Sequence, residues 1–279
     1  MSRPTTAPAD IAARELTELA LNAAIAAAEV IRDIYAHPFD AEEKADGSPV
    51  TAADSAAEAV ILQHLAGTGI PVLAEESVAA GRIPELGRRY FVVDPLDGTK
   101  EFIKRNGEFT VNIALVEDGA PVMGAVLVPV TGEAFVGDRF GAYVCDTASG
   151  TPGGTRPIHV AEAQPPRIVA SRSHGHAALA ALRKALDIDT DLSVGSSLKF
   201  CLLARGDAQL YPRFTPTSEW DTAAGQAVLE AAGGTVITLD GEPLRYGKRQ
   251  ENFLNPFFVA ASDAGLAGRA VAEILTILQ

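Results

Sequence analysis

Cysteine is scarce in this chain of 279 residues: Cys145 and Cys201 are the only two, and they lie far apart. A disulfide-stapled scaffold is excluded, and neither thiol has a partner at metal-ligand spacing, so both read as reduced thiols of a cytoplasmic protein. Long apolar runs are also missing. The longest, Leu19 to Ile31, is interrupted by Asn22 and Glu29 and is too short to cross a bilayer. It reads instead as an amphipathic helix with a Leu21/Ile25/Ala28 stripe turned inward. Met1 to Asp10 is polar and rich in Pro and Ala, without the apolar segment of a signal peptide. Positive charge is in deficit as well, with 23 Lys and Arg against 36 Asp and Glu and a net charge of −13. Such a balance argues against a nucleic-acid polymer or an anionic membrane as partner. The expectation is a cytoplasmic protein with no transmembrane segment, leaving room only for peripheral attachment at the inner face of the membrane. No internal repeat or low-complexity tract appears beyond an Ala-rich bias. With 47% hydrophobic and 21% charged residues the composition is that of a globular chain, long enough for two packed domains.

What the chain does have is Asp94-Pro95-Leu96-Asp97-Gly98-Thr99, directly after the apolar run Tyr90-Phe91-Val92-Val93. That run reads as a short strand stopped by Pro95. Asp94 and Asp97, three positions apart across the expected turn, can face one point past the strand end. Hard divalent cations take oxygen ligands, a few carboxylates with water and phosphate completing the set. Gly98-Thr99 lets backbone N–H groups approach an anion if a helix or nest begins there. Metal at carboxylates and phosphate at amides is phosphatase geometry. Two further segments put acids at element ends: Glu75-Glu76 after Ile70-Pro71-Val72-Leu73, and Asp221 before the small-residue run Thr222-Ala223-Ala224-Gly225. Taken singly these strings have ordinary readings, as a turn, a solvated pair and a helix N-cap; their joint presence points to a cation-bridged acid cluster.

Along the chain a helix is expected from Pro8 to Ala36, then a loop through Asp46-Gly47-Ser48-Pro49 able to move over the site, and a second helix from Ala53 to Leu65. Alternating runs Thr110 to Val116 and Val122 to Val128, joined at Asp118-Gly119-Ala120-Pro121, predict a hairpin. Strands follow near Glu133 to Val136 and Ala142 to Cys145. The Thr-, Gly- and Pro-rich stretch Asp146 to Pro157 predicts a domain boundary, giving an N-terminal α+β domain over 1–150 and a C-terminal α/β domain over 151–279. In the second, strands and helices alternate at Arg167 to Ser171, Ala177 to Leu186, Ser197 to Ala204, Ala208 to Tyr211 and Trp220 to Ala232. A hairpin over Thr235 to Arg245, a strand at Phe257 to Ala261 and a closing helix complete the chain.

Leu73-Ala74-Glu75-Glu76-Ser77, the Asp94–Thr99 string and Trp220-Asp221-Thr222-Ala223-Ala224-Gly225 resemble the signatures of the inositol monophosphatase superfamily of Mg²⁺-dependent, often lithium-sensitive phosphomonoesterases. The longer string from Asp97 through Lys100, Glu101, Arg105, Glu108 and Asn112 to Ile113, with Ser171-Arg172-Ser173-His174 and Gly195-Ser196-Ser197-Leu198-Lys199, resembles its CysQ branch. That branch comprises bacterial 3'(2'),5'-bisphosphate nucleotidases, which convert adenosine 3',5'-bisphosphate to AMP. The resemblance runs from about Ala23 to the C-terminus.

The resemblance implies the layered α/β/α/β/α five-layered sandwich of the sugar-phosphatase fold. It implies two or three Mg²⁺ held by Glu75, Asp94, the Leu96 carbonyl, Asp97 and Asp221. An Asp54–Thr99 pair would orient or deprotonate the attacking water, with Glu76 an acid beside the site rather than a ligand. Gly98, Thr99, Ser171, His174, Ser196, Lys199 and Asp221 are the expected substrate contacts, with Arg213 and Glu219 flanking. Lys100, Lys104, Arg105, Lys199 and Arg213 are candidates for local positive charge. The family often dimerises, although no apolar seam in this sequence marks an interface. Because phosphoryl transfer is loose and depends on positioning and charge neutralisation, direct attack by water is preferred here over a phospho-aspartate route, since Asp94 is committed to metal. The alternatives are an inositol, sugar or histidinol phosphatase on the same metal core, or a catalytically silent binding protein.

Overall fold

A computed structural model of the chain describes residues 8–43, 47, 49–170, 177–188 and 191–278. Helix α1 (Pro8–Tyr35) leads through a ribbon of β1 (Ala41–Glu43) and β2 (Pro49–Thr51) into α2 (Ala52–Leu65). Next come β3 (Val72–Ala74), α3 (Glu75–Ala79), β4 (Arg89–Asp97), α4 (Thr99–Ile103) and the strands β5 (Thr110–Glu117), β6 (Ala120–Leu127), β7 (Glu133–Asp138), β8 (Gly141–Asp146) and β9 (Gly153–Ile158). The remainder comprises β10 (Ile168–Ala170), α5 (Ala177–Ala185), β11 (Asp191–Ser193), α6 (Leu198–Ala204), β12 (Leu210–Arg213), α7 (Ala223–Ala231), β13 (Thr235–Thr238), β14 (Phe258–Ala261) and α8 (Ala264–Leu278).

Two sheets organise these elements: a seven-stranded one in the order β3-β4-β5-β6-β7-β8-β9, and a five-stranded one in the order β11-β10-β12-β14-β13. The expected boundary stretch is therefore partly strand. β9 pairs with β8 across Ala142↔Ile158, so the first sheet runs past the division expected at residue 150. Its Gly- and Pro-rich sequence is tolerated because β9 is an edge strand. The hairpin at Asp118-Gly119 is tighter than expected: only these two residues turn, both with positive φ (50° and 76°), as a two-residue I′-type connection requires.

Alternating faces place the core in three slabs. Leu21, Ile25 and Ala28 of α1, with Ala57 and Ile61 of α2, cover one face of the first sheet through Phe91, Val93, Ile113 and Leu127. The opposite face, with Val92, Val126, Phe135 and Val144, packs on α6 and α7, which meet Tyr211 and Phe258 of the second sheet on their far side. Leu266, Ala270 and Ile274 of α8 close the outer face of that sheet with Leu182 of α5. The order is thus α1α2, sheet, α6α7, sheet, α5α8, the five-layered α/β/α/β/α sandwich. Contact of α7 with the first sheet is close enough that a Cβ on Gly124 would lie 2.3 Å from the Ala224 carbonyl oxygen, which requires glycine there. Among the described residues no helix is long and apolar enough to cross a membrane.

Candidate active site

The strand expected to stop at Pro95 continues to Asp97. β3 pairs with β4 only as far as Ala74↔Val93, so Pro95 lies beyond that ladder and its missing N–H breaks no bond there. On the β5 side the register shifts by one residue between the pairs Asp94↔Asn112 and Asp97↔Thr110. In a regular strand, residues three apart point to opposite faces; the extra residue of the bulge returns Asp97 to the side of Asp94. Asp221 arrives from the loop before α7, and the carboxylates of Asp94, Asp97 and Asp221 have oxygens within 4.8 Å of one another. Thr217 Oγ1 at 2.6 Å and the Ser218 N–H at 2.8 Å donate to Asp221 Oδ2 and fix its side chain. The Leu96 N–H donates to Asp94 Oδ1 at 3.0 Å.

So many acids in one place disturb their titration. Burial, then the neighbouring charges of Glu75, Asp97 and Asp221, hold the Asp94 carboxyl well above the usual carboxylate range, and Glu75 comes close enough to share a hydrogen bond with it. Burial and Asp221 push Asp97 up to about 6, against the opposing pull of Lys199, Ser197 and Asn112. Burial brings the Lys199 ammonium down to about 8, although Asp97 favours its charged form. One buried lysine does not neutralise four acids. An all-oxygen donor set of converging carboxylates suits a hard divalent cation, whose charge would remove the repulsion.

Asp54 and Thr99 are brought together as well. Asp54 is 1% exposed. Its Oδ2 accepts from the Thr51 N–H and Oγ1, both at 2.8 Å, closing a capping box at the start of α2. Its Oδ1 accepts the Thr99 hydroxyl at 3.0 Å. One turn on along α2, buried Glu58 accepts the Glu76 N–H at 2.8 Å and Ser77 Oγ at 2.6 Å, which anchors the first turn of α3 and with it Glu75. A single helix thus organises two corners of the site.

Beside the carboxylates lies a cleft of about 300 Å³ lined by Asp97, Gly98, Lys100, Glu101, Gly195, Ser196, Lys199, Tyr211, Arg213 and Asp221, among others. Four of the expected substrate contacts, Gly98, Ser196, Lys199 and Asp221, therefore share one cleft. Lys199 Nζ donates to the Ser196 carbonyl at 2.6 Å and sits 5.5 Å from the centre of the Tyr211 ring. Ser171 and His174 fall outside the described residues.

Two expectations are corrected. Glu219 is fully buried and accepts the backbone N–H groups of Gly247 and Lys248 at 2.8–2.9 Å, so it clamps that turn instead of meeting a ligand. Arg105 donates to the carbonyls of Tyr35 and His37 at 2.6 and 2.7 Å and lies over the Tyr35 and Phe39 rings. It caps the end of α1 rather than lending charge to the cleft. From sequence, Ser197 reads with Ser196 and Lys199 as an anion seat or cap at a helix start, and Asn112 has no assigned role; both instead touch Asp97 (Ser197 Oγ–Asp97 Oδ2 2.8 Å, Asn112 Nδ2–Asp97 Oδ2 3.3 Å). The register of Asn112 opposite Asp94 was the available signal, visible only once the strands are paired.

The model of the inositol monophosphatase family matches residues 12–274. The 3'(2'),5'-bisphosphate nucleotidase CysQ of Escherichia coli (strain K12) is 48% identical over 248 residues, covering 88% of this chain and 97% of that protein. The corresponding CysQ of Buchnera aphidicola is 41% identical over 223 residues, 78% and 82% of the two chains. Among solved structures, CysQ from Bacteroides thetaiotaomicron superposes with a TM-score of 0.75 at 42% identity, over 89% of this chain and 98% of that one. An inositol monophosphatase from Zymomonas mobilis gives 0.74 at 26% identity, over 94% and 98%. By its fold, its clustered carboxylates and these relatives, the chain belongs to the inositol monophosphatase family.

Proposed function

We propose that the protein is a Mg²⁺-dependent 3'(2'),5'-bisphosphate nucleotidase that hydrolyses adenosine 3',5'-bisphosphate to AMP and phosphate. The observation that carries this reading is the convergence of Asp94, Asp97 and Asp221 beside the Asp54–Thr99 pair, in a chain about half identical to CysQ nucleotidases. Glu75, Asp94, the Leu96 carbonyl, Asp97 and Asp221 would hold two or three Mg²⁺, which when bound would supply positive charge for the phosphate and acidify water. Thr99 donates its hydroxyl to Asp54 Oδ1, which leaves an oxygen lone pair to accept from an attacking water; as the water is deprotonated, its proton passes to Thr99 Oγ1 and the Thr99 proton passes to Asp54. Asp54 is held for this by its second oxygen in the α2 capping box. Gly98, Ser196 and Lys199 are assigned to the nucleotide because they line the adjoining cleft, and Arg213 adds charge at its wall. Ser171 and His174 keep their assignment from the sequence motif. A cytoplasmic location, with Cys145 and Cys201 free and buried, and a homodimeric assembly belong to the same reading.

The test is phosphate release from adenosine 3',5'-bisphosphate in Mg²⁺ and again in excess EDTA, for the wild type and for Asp94→Asn. Turnover that needs Mg²⁺ and is abolished in a folded Asp94→Asn supports the reading. Near-normal activity of that variant in Mg²⁺ contradicts the metal assignment.

A further inference from the structure

Ser197 occupies the N-cap position of α6, yet its side chain makes no cap hydrogen bond. Its hydroxyl is instead shared by three groups: Asp97 Oδ2 at 2.8 Å, the Asp221 carbonyl at 2.7 Å and Asn112 Nδ2 at 2.9 Å. Ser197 is 2% exposed and Asn112 1%. The proton count settles the direction of these bonds. Asn112 must turn its NH₂ toward this point, because its carbonyl oxygen would oppose the Asp97 carboxylate; it therefore donates to Ser197 Oγ and to Asp97. The single Ser197 proton is left to be shared between Asp97 Oδ2 and the Asp221 carbonyl as a three-centre bond that links the two. Asp97 comes from β4 in the first sheet, whereas Ser197 and Asp221 come from segments of the second half of the chain. This hydroxyl is where the two halves meet at the carboxylates. The Asp221 side chain is secured separately by Thr217 and Ser218.

We propose that Ser197, held by Asn112, is the positioning residue that fixes the separation of Asp97 from Asp221 and so sets the cation affinity of the site. The inference rests on the metal-site reading above. Removing the hydroxyl leaves both aspartates in place with their other partners but unties one from the other. Partners that orient metal ligands typically govern affinity by about 10- to 100-fold.

The experiment is Mn²⁺ binding to the EDTA-stripped full chain, followed by electron paramagnetic resonance, with the melting temperature of the metal-free protein recorded alongside. Ser197→Ala is expected to weaken Mn²⁺ binding about tenfold while metal-free melting stays within a few degrees of the wild type. Ser197→Thr, which restores a hydroxyl, is expected to recover most of the affinity. Affinity within twofold of the wild type in Ser197→Ala overturns the inference. So does a Ser197→Thr variant as weak as Ser197→Ala, or a loss of metal-free stability in step with affinity, since either assigns Ser197 to packing. A wild type that binds no Mn²⁺ overturns the metal-site reading and this inference with it.

Discussion

Asp97→Asn should stabilise the metal-free protein, and the size of the effect follows from the site. Burial and the Asp221 charge push Asp97 from 3.8 up to about 6. At about 1.4 kcal/mol per pH unit, that displacement costs the ionised, metal-free fold roughly 3 kcal/mol. The sign follows from proton binding. Between pH 4 and 6 the folded protein holds a proton that the unfolded chain has released, so wild-type stability falls as pH rises through this window and levels off above it. Asparagine keeps an oxygen for Ser197 and carries no charge. The gain should therefore be full at pH 7.5, roughly half that at pH 5 and absent below pH 4. For a chain of this size 3 kcal/mol corresponds to about 6–10 °C; loss of the charge-assisted bond from Ser197 brings the expected rise nearer 5 °C. Thermal melts in EDTA at pH 7.5 and 5 measure it directly, and Mg²⁺ should then stabilise the wild type far more than the variant. An Asp97→Asn protein that melts below the wild type in EDTA at pH 7.5, or whose advantage does not shrink at pH 5, would refute the electrostatic account of the cluster.

Two further outcomes follow from the geometry. Thr99→Ala should lower kcat by about 10²–10³-fold with KM nearly unchanged, because Asp54 then has no hydroxyl through which to reach water, while Thr99→Ser keeps most of the rate; steady-state kinetics decide, and a loss under threefold contradicts the role. Gly195→Ala should raise KM for the nucleotide at least tenfold, because the new Cβ would lie 2.8 Å from the Glu108 carbonyl oxygen and 2.9 Å from Glu101 Cγ and would push Ser196 and the start of α6 off their seat; unchanged KM would place the substrate elsewhere.

Most of the elements and the acids that cluster were legible because they rest on local signals, while the five layers followed from the family resemblance. Alternation marked β5 and β6, the inward stripe Leu21/Ile25/Ala28 marked α1, acids following apolar runs marked Glu75 and Asp94, and the small-residue run after it marked Asp221. What escaped was decided by pairing. Pro95 looked like a stop because proline breaks ladders, but β3 ends before it and leaves nothing to break. β9 reads as a linker from its glycines and proline, and becomes a strand because β8 supplies a partner. Arg105 sits inside a motif where functional residues are expected, yet its guanidinium lies at the carbonyls ending α1, a destination no spacing rule reveals. Ser197 and Asn112 stand 85 positions apart and meet only after both halves have folded.

The measurement that bears most directly on the account is kcat/KM for phosphate release, in Mg²⁺, from adenosine 3',5'-bisphosphate beside inositol 1-phosphate. The account predicts a strong preference for the nucleotide, carried by the cleft of Ser196, Lys199 and Arg213 next to the carboxylates. Equal or better turnover of the inositol ester would leave the metal core standing and contradict the assignment of that cleft.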